Sequence, residues 1–389
     1  MRKTKMQTGI TLVALIITII ILLILAVVTI GSINNGNIIT YALNASTGYS
    51  TKKDEEETLI DDYESIIKGN LPGGDKVTYT DENVPIPAGF YYVTGEKDTG
   101  LVISDDKSDE NNANGKEGNQ FVWVPVDNIN DMVMCQICGG KGILDKKTLQ
   151  CSEHGTSTKL AGKLYAEVMG DYFNTSLTEQ YYNNLSLKEP DVVNEYDSVK
   201  ANLEKAGLID LTAESFKNLL QKEFDEMAES VAKYGGFYVG RYETSKNGVN
   251  PESKYGATSA TAATESANTW YGLYALNKKY TTSSVKSSMI WGSQYDAMMI
   301  WMGEKATSTI GDKKNQTREC GKAPEDVIKN VYDIYGNSLE WTLEANNNSN
   351  RVWRGYIWMS EEKSPTYRTA NLVNSTDNQL SSRLTLYIL

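Results

Sequence analysis

Cys135-Gln136-Ile137-Cys138 is followed, after twelve residues, by Cys151-Ser152-Glu153-His154. Thiolates and a neutral imidazole are the ligands zinc prefers, and two such pairs joined by a short glycine-bearing loop bring four of them to one tetrahedral point. The quartet takes three of the four cysteines and the one histidine of the chain. It predicts a structural Zn2+ site: four protein ligands leave no open coordination position, so the metal stabilises and does not catalyse. A disulfide with a spare thiol, or a chance clustering, is the alternative reading. Thiolates that persist outside a membrane also predict a reducing, anaerobic habitat.

With the histidine committed there, Ser-His-Asp and Cys-His nucleophiles lack a base. No GxGxxG or P-loop occurs, since Gly139-Gly140-Lys141-Gly142 lacks the full phosphate-binding pattern. Fifty acidic residues keep paired carboxylates open as a class, but nothing in the pattern places two in one cleft. The formal charge of -12, with no clustered Lys and Arg, excludes nucleic acid as a partner. A binding protein that is not an enzyme is therefore expected. The stretch best suited to binding is polar and aperiodic and runs from Met359 to Ser382. It lies between blocks at residues 339–342, 352–358 and 384–389, whose aromatic and β-branched residues predict strands.

These residues need positioning, and the strongest pattern in the chain lies far from them. From Ile10 to Ile30 no residue is charged. As a helix this segment is about 31 Å long, against a hydrocarbon core of roughly 30 Å, and it exceeds the apolar region of a cleaved secretory signal. A buried core helix is the plain alternative. Arg2, Lys3 and Lys5 flank one side and no charge follows until Lys52, which places the N-terminus in the cytoplasm. The expected localisation is the cell membrane, single-pass, with the bulk of the chain extracellular. The junction Lys5-Met6-Gln7-Thr8-Gly9 and Ile10-Thr11-Leu12-Val13 resembles the N-terminus of type IV pilin-like proteins of Gram-positive bacteria. That resemblance implies cleavage by a prepilin peptidase between Gly9 and Ile10, and a helix that anchors the chain or assembles with other pilin-like subunits. The family's Glu at the fifth mature position is Ala14 here, which bears on assembly and leaves anchoring intact.

Beyond the span, Leu59, Ile60, Tyr63, Ile66 and Ile67 recur at helical spacing with acids on the other face, predicting a stalk. The organisation is then a leader at 1–9, a transmembrane and stalk helix at 10–68, a Gly/Pro-rich linker at 69–76 and a domain at 77–389. Within that domain, strands are predicted at 89–93, 100–104 and 121–126, with Pro125 marking an edge or strand end. Residues 105–119 read as a solvated acidic loop. Two insertions follow, the zinc knuckle at 131–158 and a helical lobe at 160–234 carrying Phe216, Leu219, Leu220, Phe224 and Met227. Tyr295, Met298, Met299 and Met302 read as a core stripe.

Taken together, residues 121–126, 235–243 and 291–301, the block Gly336-Asn337-Ser338-Leu339-Glu340-Trp341-Thr342, Arg351-Val352-Trp353-Arg354-Gly355 and Arg383-Leu384-Thr385-Leu386 resemble the formylglycine-generating enzyme (sulfatase-modifying factor) family. The resemblance covers roughly residues 121–389. It implies an α+β fold: a C-type-lectin-like domain following the N-terminal transmembrane and stalk helix. The family's copper-holding cysteines have no counterpart between residues 321 and 389, and the histidine of its iron-dependent relatives is unavailable. The resemblance also implies a Ca2+ loop, with Asp333 and Glu340 as carboxylate ligands and Gly336 and Ser338 through carbonyls; oxygen ligands suit that ion, and a plain Gly/Asn turn is the alternative.

The ending is similar to variable proteins of diversity-generating retroelements. Framework residues Arg351, Val352, Arg354, Gly355, Arg368, Ser382, Arg383 and Leu384 alternate with Trp353, Tyr356, Trp358, Met359, Ser360, Tyr367, Thr369, Leu372 and Val373 as exposed ligand-binding positions. Residues 351–389 are then a segment varied to bind a protein or glycan. The reading is a surface-anchored, adhesin- or receptor-like binding protein. A minor pilin or structural surface subunit is the alternative, and a divergent formylglycine-generating-type oxidase comes third.

Overall fold

The computed structural model describes residues 17–19, 21, 77–164, 196–208, 211–260, 269–303, 319–324, 326–334, 336–345, 350–355, 365–366, 368–375 and 379–389. The chain divides into two units, Met1–Gly74 and Asp75–Leu389.

In the second unit a hairpin, β1 (Val77–Tyr79) and β2 (Pro85–Pro87), precedes β3 (Tyr91–Thr94), β4 (Val102–Ser104) and β5 (Gln120–Pro125). A small antiparallel pair follows, β6 (Val133–Cys135) with β7 (Leu160–Gly162). Helices α1 (Tyr196–Lys205) and α2 (Ala213–Tyr234) lead into β8 (Gly236–Gly240) and the hairpin β9 (Ser245–Asn247) and β10 (Asn250–Glu252). Then come α3 (Trp270–Asn277), β11 (Val285–Met289), α4 (Gly292–Met302) and the short pair β12 (Val327–Ile328) and β13 (Val331–Tyr332). The last strands are β14 (Leu339–Ala345), β15 (Asn350–Arg354), β16 (Arg368–Leu372), β17 (Leu380–Ser382) and β18 (Leu384–Ile388).

Two sheets dominate. The larger has the order β11-β18-β8-β5-β4-β3, and the second β16-β15-β14-β17, in which β14 and β17 run parallel. The large sheet is buried on both faces, which the alternation of β5 makes explicit. Val122 and Val124 point into one cluster with Val239, Phe224 and Met289, while Phe121 and Trp123 point into another with Tyr238, Leu384 and Leu386. Pro125 closes β5, where its missing N–H costs no ladder bond. A Cβ on Gly236 would come within 2.5 Å of the Trp123 ring, so the pairing of β5 with β8 needs glycine there.

Helix α2 forms where the period predicts. Thr212 caps it through a reciprocal bond with Ser215, and Gly235, at φ 79°, ends it. Phe216, Leu220, Phe224, Met227 and Val231 make one buried stripe. Phe216 packs edge-on to Trp270 and Tyr274, Phe224 edge-on to Trp291, and Ser230 Oγ donates to the Ile388 carbonyl at 2.8 Å. The helix is thus part of the main core and not a separate lobe.

Two expectations are corrected. The α+β class gives way to a mainly β one: among the described residues eighteen strands stand against four bounded helices, an arrangement with which a lectin-like domain remains compatible. The N-terminal transmembrane helix and the single-pass membrane localisation are also withdrawn. Among the described residues no helix is long and apolar enough to cross a membrane. Of the segment from Ile10 to Ile30 only Ile17, Thr18, Ile19 and Ile21 are described, as helical; the rest, with the stalk, Gly9 and the cleavage junction, lies outside the described residues. The acidic loop also differs from its solvated reading. Asp109 is fully buried and collects Ser104 Oγ at 2.7 Å, Gly118 N at 3.0 Å, Gln120 Nε2 at 3.0 Å and Glu117 N at 3.1 Å. These donors hold its carboxyl below the ordinary value despite the burial that raises it.

Candidate functional site

Cys135 ends β6 and Cys138 sits in the turn beyond it, where Gly139 and Gly140 take φ of 62° and 79°. Cys151 forms bridges to Leu144 and Gly155, and its N–H donates to Thr158 Oγ1 at 2.6 Å. Thr158 in turn donates to the Gly155 carbonyl at 2.7 Å, which fixes the turn carrying His154. The four ligand atoms of Cys135, Cys138, Cys151 and His154 all lie within 4.8 Å of one another. Cys138 and Cys151 sulfurs are 3.8 Å apart, and the Cys135 sulfur is 3.5 Å from His154 Nδ1. With Zn–S bonds of about 2.3 Å and Zn–N bonds of about 2.0–2.1 Å, tetrahedral edges come to about 3.8 Å between sulfurs and about 3.5 Å between sulfur and nitrogen. The quartet fits a tetrahedral metal ion, and the 3.8 Å spacing rules out a Cys138–Cys151 disulfide in this state.

Surrounding backbone supports the thiolates. The Gly142 N–H points at the Cys138 sulfur at 3.3 Å, the kind of donor that orients a metal ligand. A Cβ on Gly142 would stand 2.3 Å from the Cys151 sulfur, so glycine is required there. Burial raises the Cys138 thiol, but the Gly142 N–H and the neighbouring thiols outweigh it and leave the group below its ordinary value.

The loop expected to hold calcium is brought together differently. Glu340 receives Arg383 Nε at 2.9 and 3.0 Å on its two oxygens and Arg383 Nη2 at 2.5 Å. Asp333, at φ 60°, accepts the Gly321 N–H at 2.9 Å, and Gly336 and Ser338 are buried. Among the described residues the Cys/His quartet is the one group of three or more acidic, cysteine or histidine side chains placed to hold a metal.

Sequence reasoning missed the residue at the centre of this region. Glu243 is buried and accepts from Ser259 Oγ at 2.5 Å, Asn337 Nδ2 at 2.9 Å and the Ser338 N–H at 2.9 Å. Burial, with Asp333 and Glu340 close by, pushes its carboxyl well above the ordinary range. The one available signal was an acid three residues beyond the glycine-bounded β8. Cys320, also buried, lies 3.3 Å from Ser259 Oγ.

The segment expected to bind a ligand rests on β14, β15 and β16. Arg354 contacts Asp296 at 2.8 Å and Glu344 at 3.0 Å, all three side chains being fully buried, and Arg368 Nε reaches the other Glu344 oxygen at 2.6 Å. Burial raises the Glu344 carboxyl, and the Arg368 and Arg354 guanidiniums outweigh it and hold the group below 4.5. Arg351 donates to the Leu343 carbonyl at 2.8 Å and lies 4.6 Å from the Trp270 ring centroid. The framework arginines therefore all point inward. Of the expected contact residues, Trp353 is half-buried and stacks on Trp341 at 5.9 Å, Thr369 is half-exposed and Leu372 is 51% exposed. Val373 is instead buried, its carbonyl accepting the Trp270 N–H at 3.1 Å. Tyr356, Trp358, Met359, Ser360 and Tyr367 lie outside the described residues.

No family model and no curated protein matches the chain. Among solved structures it is similar to Treponema denticola variable protein 1, with 14% sequence identity and a TM-score of 0.24 over 70% of this chain and 97% of that one. A likeness that weak carries no argument about this chain.

Because the Glu344 pKa is depressed on folding, its contribution is fully present above the ordinary value of 4.5 and is lost as the pH falls through the lower folded value. Glu344→Gln leaves Arg354 and Arg368 short of a charge and is expected to cost about 3–5 kcal/mol at pH 7. In urea unfolding the gap between the two proteins should narrow as the pH drops below 4.5; a gap that stays constant across pH contradicts this role.

Proposed function

We propose that this protein is a non-catalytic ligand-binding protein whose recognition face is the outer strand β16 and the chain adjoining it, carried on a β framework. The observation that supports this reading is the division of side chains between residues 350–355 and 368–372. Arg351, Val352 and Arg354 are buried and bonded inward, while Thr369, Ala370 and Asn371 stay half-exposed and Leu372 projects. A framework locked by buried charge holds its outward positions at low entropic cost, as a binding surface requires. A buried framework strand beside an outward strand also suits a segment diversified by a retroelement, the finer form of the proposal. That form requires a reverse-transcriptase gene and a near-copy of the final coding stretch beside this gene, and is dropped without them.

The Cys/His quartet is read within the same proposal as a structural Zn2+ site. Cys135, Cys138, Cys151 and His154 supply four ligands, so the ion ties two turns together and offers no open position to a substrate. Metal analysis of the purified chain should return about one zinc per molecule, and Cys135→Ser should abolish it. A chain that folds with no bound zinc removes this part of the reading.

For binding, the full chain is applied to glycan and protein arrays, and each hit is remeasured with Thr369→Arg and Leu372→Asp. Both variants should weaken a genuine hit by roughly tenfold or more while thermal stability stays unchanged, since neither side chain is buried. An absence of hits, or hits that both variants retain, favours a structural subunit with no ligand at this face.

A further inference from the structure

An arginine stays charged at any pH a protein meets, and a buried charge is costly unless it is paired. Arg241 is only 6% exposed. Arg354 and Arg383, fully buried, each hold a carboxylate. Among the described residues Arg241 has none. Its Nη1 donates to Gln120 Oε1 at 2.7 Å, its Nε has no hydrogen-bond partner, and its Cζ lies 5.3 Å and 5.8 Å from the Tyr332 and Tyr242 ring centroids. Cation–π contact with two tyrosines offsets part of the desolvation and leaves the positive charge without an anion. The neighbouring acid, Asp333, is turned to the Gly321 N–H at 2.9 Å.

Further cations stand along the same row of rings. Tyr332 and Tyr242 are 5.3 Å apart, and Tyr242 and Tyr255 are 6.1 Å apart. Lys116 Nζ lies 3.8 Å above the Tyr255 ring and Lys322 Nζ 4.7 Å from it. Tyr332 and Tyr255 are half-exposed. Among the described residues Lys322 is paired with the exposed Glu319 alone, at 3.5 Å, a pairing that water screens. The row is also fixed in place. Gln120, which holds Arg241, donates to the Gly115 carbonyl at 2.8 Å beside Lys116, and a Cβ on Gly321 would meet the Tyr242 ring at 2.5 Å.

We infer that this tyrosine row is an oxyanion-binding site, in which Arg241, Lys116 and Lys322 receive the sulfate, phosphate or carboxylate group of a ligand beside the half-exposed rings of Tyr255 and Tyr332. A guanidinium fork suits an oxyanion, and a local cluster of positive charge on a chain of net charge -12 selects for an anion at this place and repels it elsewhere. The site is distinct from the β16 face and from the Cys/His quartet.

The test uses the full chain and three probes, sodium sulfate, sodium phosphate and sodium acetate, each compared with sodium chloride at the same ionic strength. Calorimetric titration and thermal unfolding should show saturable binding of at least one probe, and the tightest identifies which oxyanion the site takes. The double variant Lys116→Ala with Lys322→Ala, both exposed, should weaken that binding roughly tenfold or more, and Arg241→Gln should abolish it. If Arg241→Gln does not fold, the lysine variant decides, because it touches no buried group. Responses that match chloride for all three probes, or a response the lysine variant keeps, overturn the inference.

Discussion

A guanidinium taken out of water is costly unless it is paired, and two buried arginine–carboxylate meetings hold this molecule's sheets in position. Arg383 leaves the strip between β17 and β18, binds Glu340 on β14, and donates to the carbonyls of Gly240 at the end of β8 and Tyr332 on β13, each at 3.0 Å. One side chain therefore joins the six-stranded sheet to the four-stranded one. Arg354 does the same between β15, β14 and helix α4 through Glu344 and Asp296. The net worth of such pairs relative to apolar packing is small, but breaking one leaves an uncompensated charge, so the arrangement resists alternatives more than it adds stability.

How much of this was legible in the sequence depended on the distance along the chain over which each decision is made. The metal quartet was legible because its ligands span fewer than twenty-five residues and their chemistry is selective. Helix α2 was legible by its period, and β5, β14, β15 and β18 by their runs of aromatic and β-branched residues. Glu243 was not, because Ser259, Asn337 and Cys320 reach it from 16, 94 and 77 residues away, and only the topology brings them there. The acidic loop misled for a related reason. A run of Asp and Asn resembles a solvated excursion until one member, Asp109, is found gathering backbone N–H groups, a local competition that composition does not express.

The fold class went wrong through weighting. The strongest signals in the chain are helical, the apolar run at 10–30 and the stripe at 216–227, whereas the strands are two to seven residues long and signal weakly one by one. Val373 was misplaced in the same way. A valine in a polar tract reads as exposed, but its carbonyl and side chain turn toward Trp270 and the core.

The order of the large sheet has a consequence for the making of the protein. Strand β18 is the last of the six to leave the ribosome, yet it lies inside the sheet, between β11 and β8. Until residues 384–388 are free, β8 and β11 each expose an unpaired edge, with the apolar face of α2 partly uncovered beside them. From the synthesis of β11 until that of β18 the nascent chain carries that adhesive surface, so the sheet is completed late and the newly made chain relies on chaperoning more than its finished core would indicate.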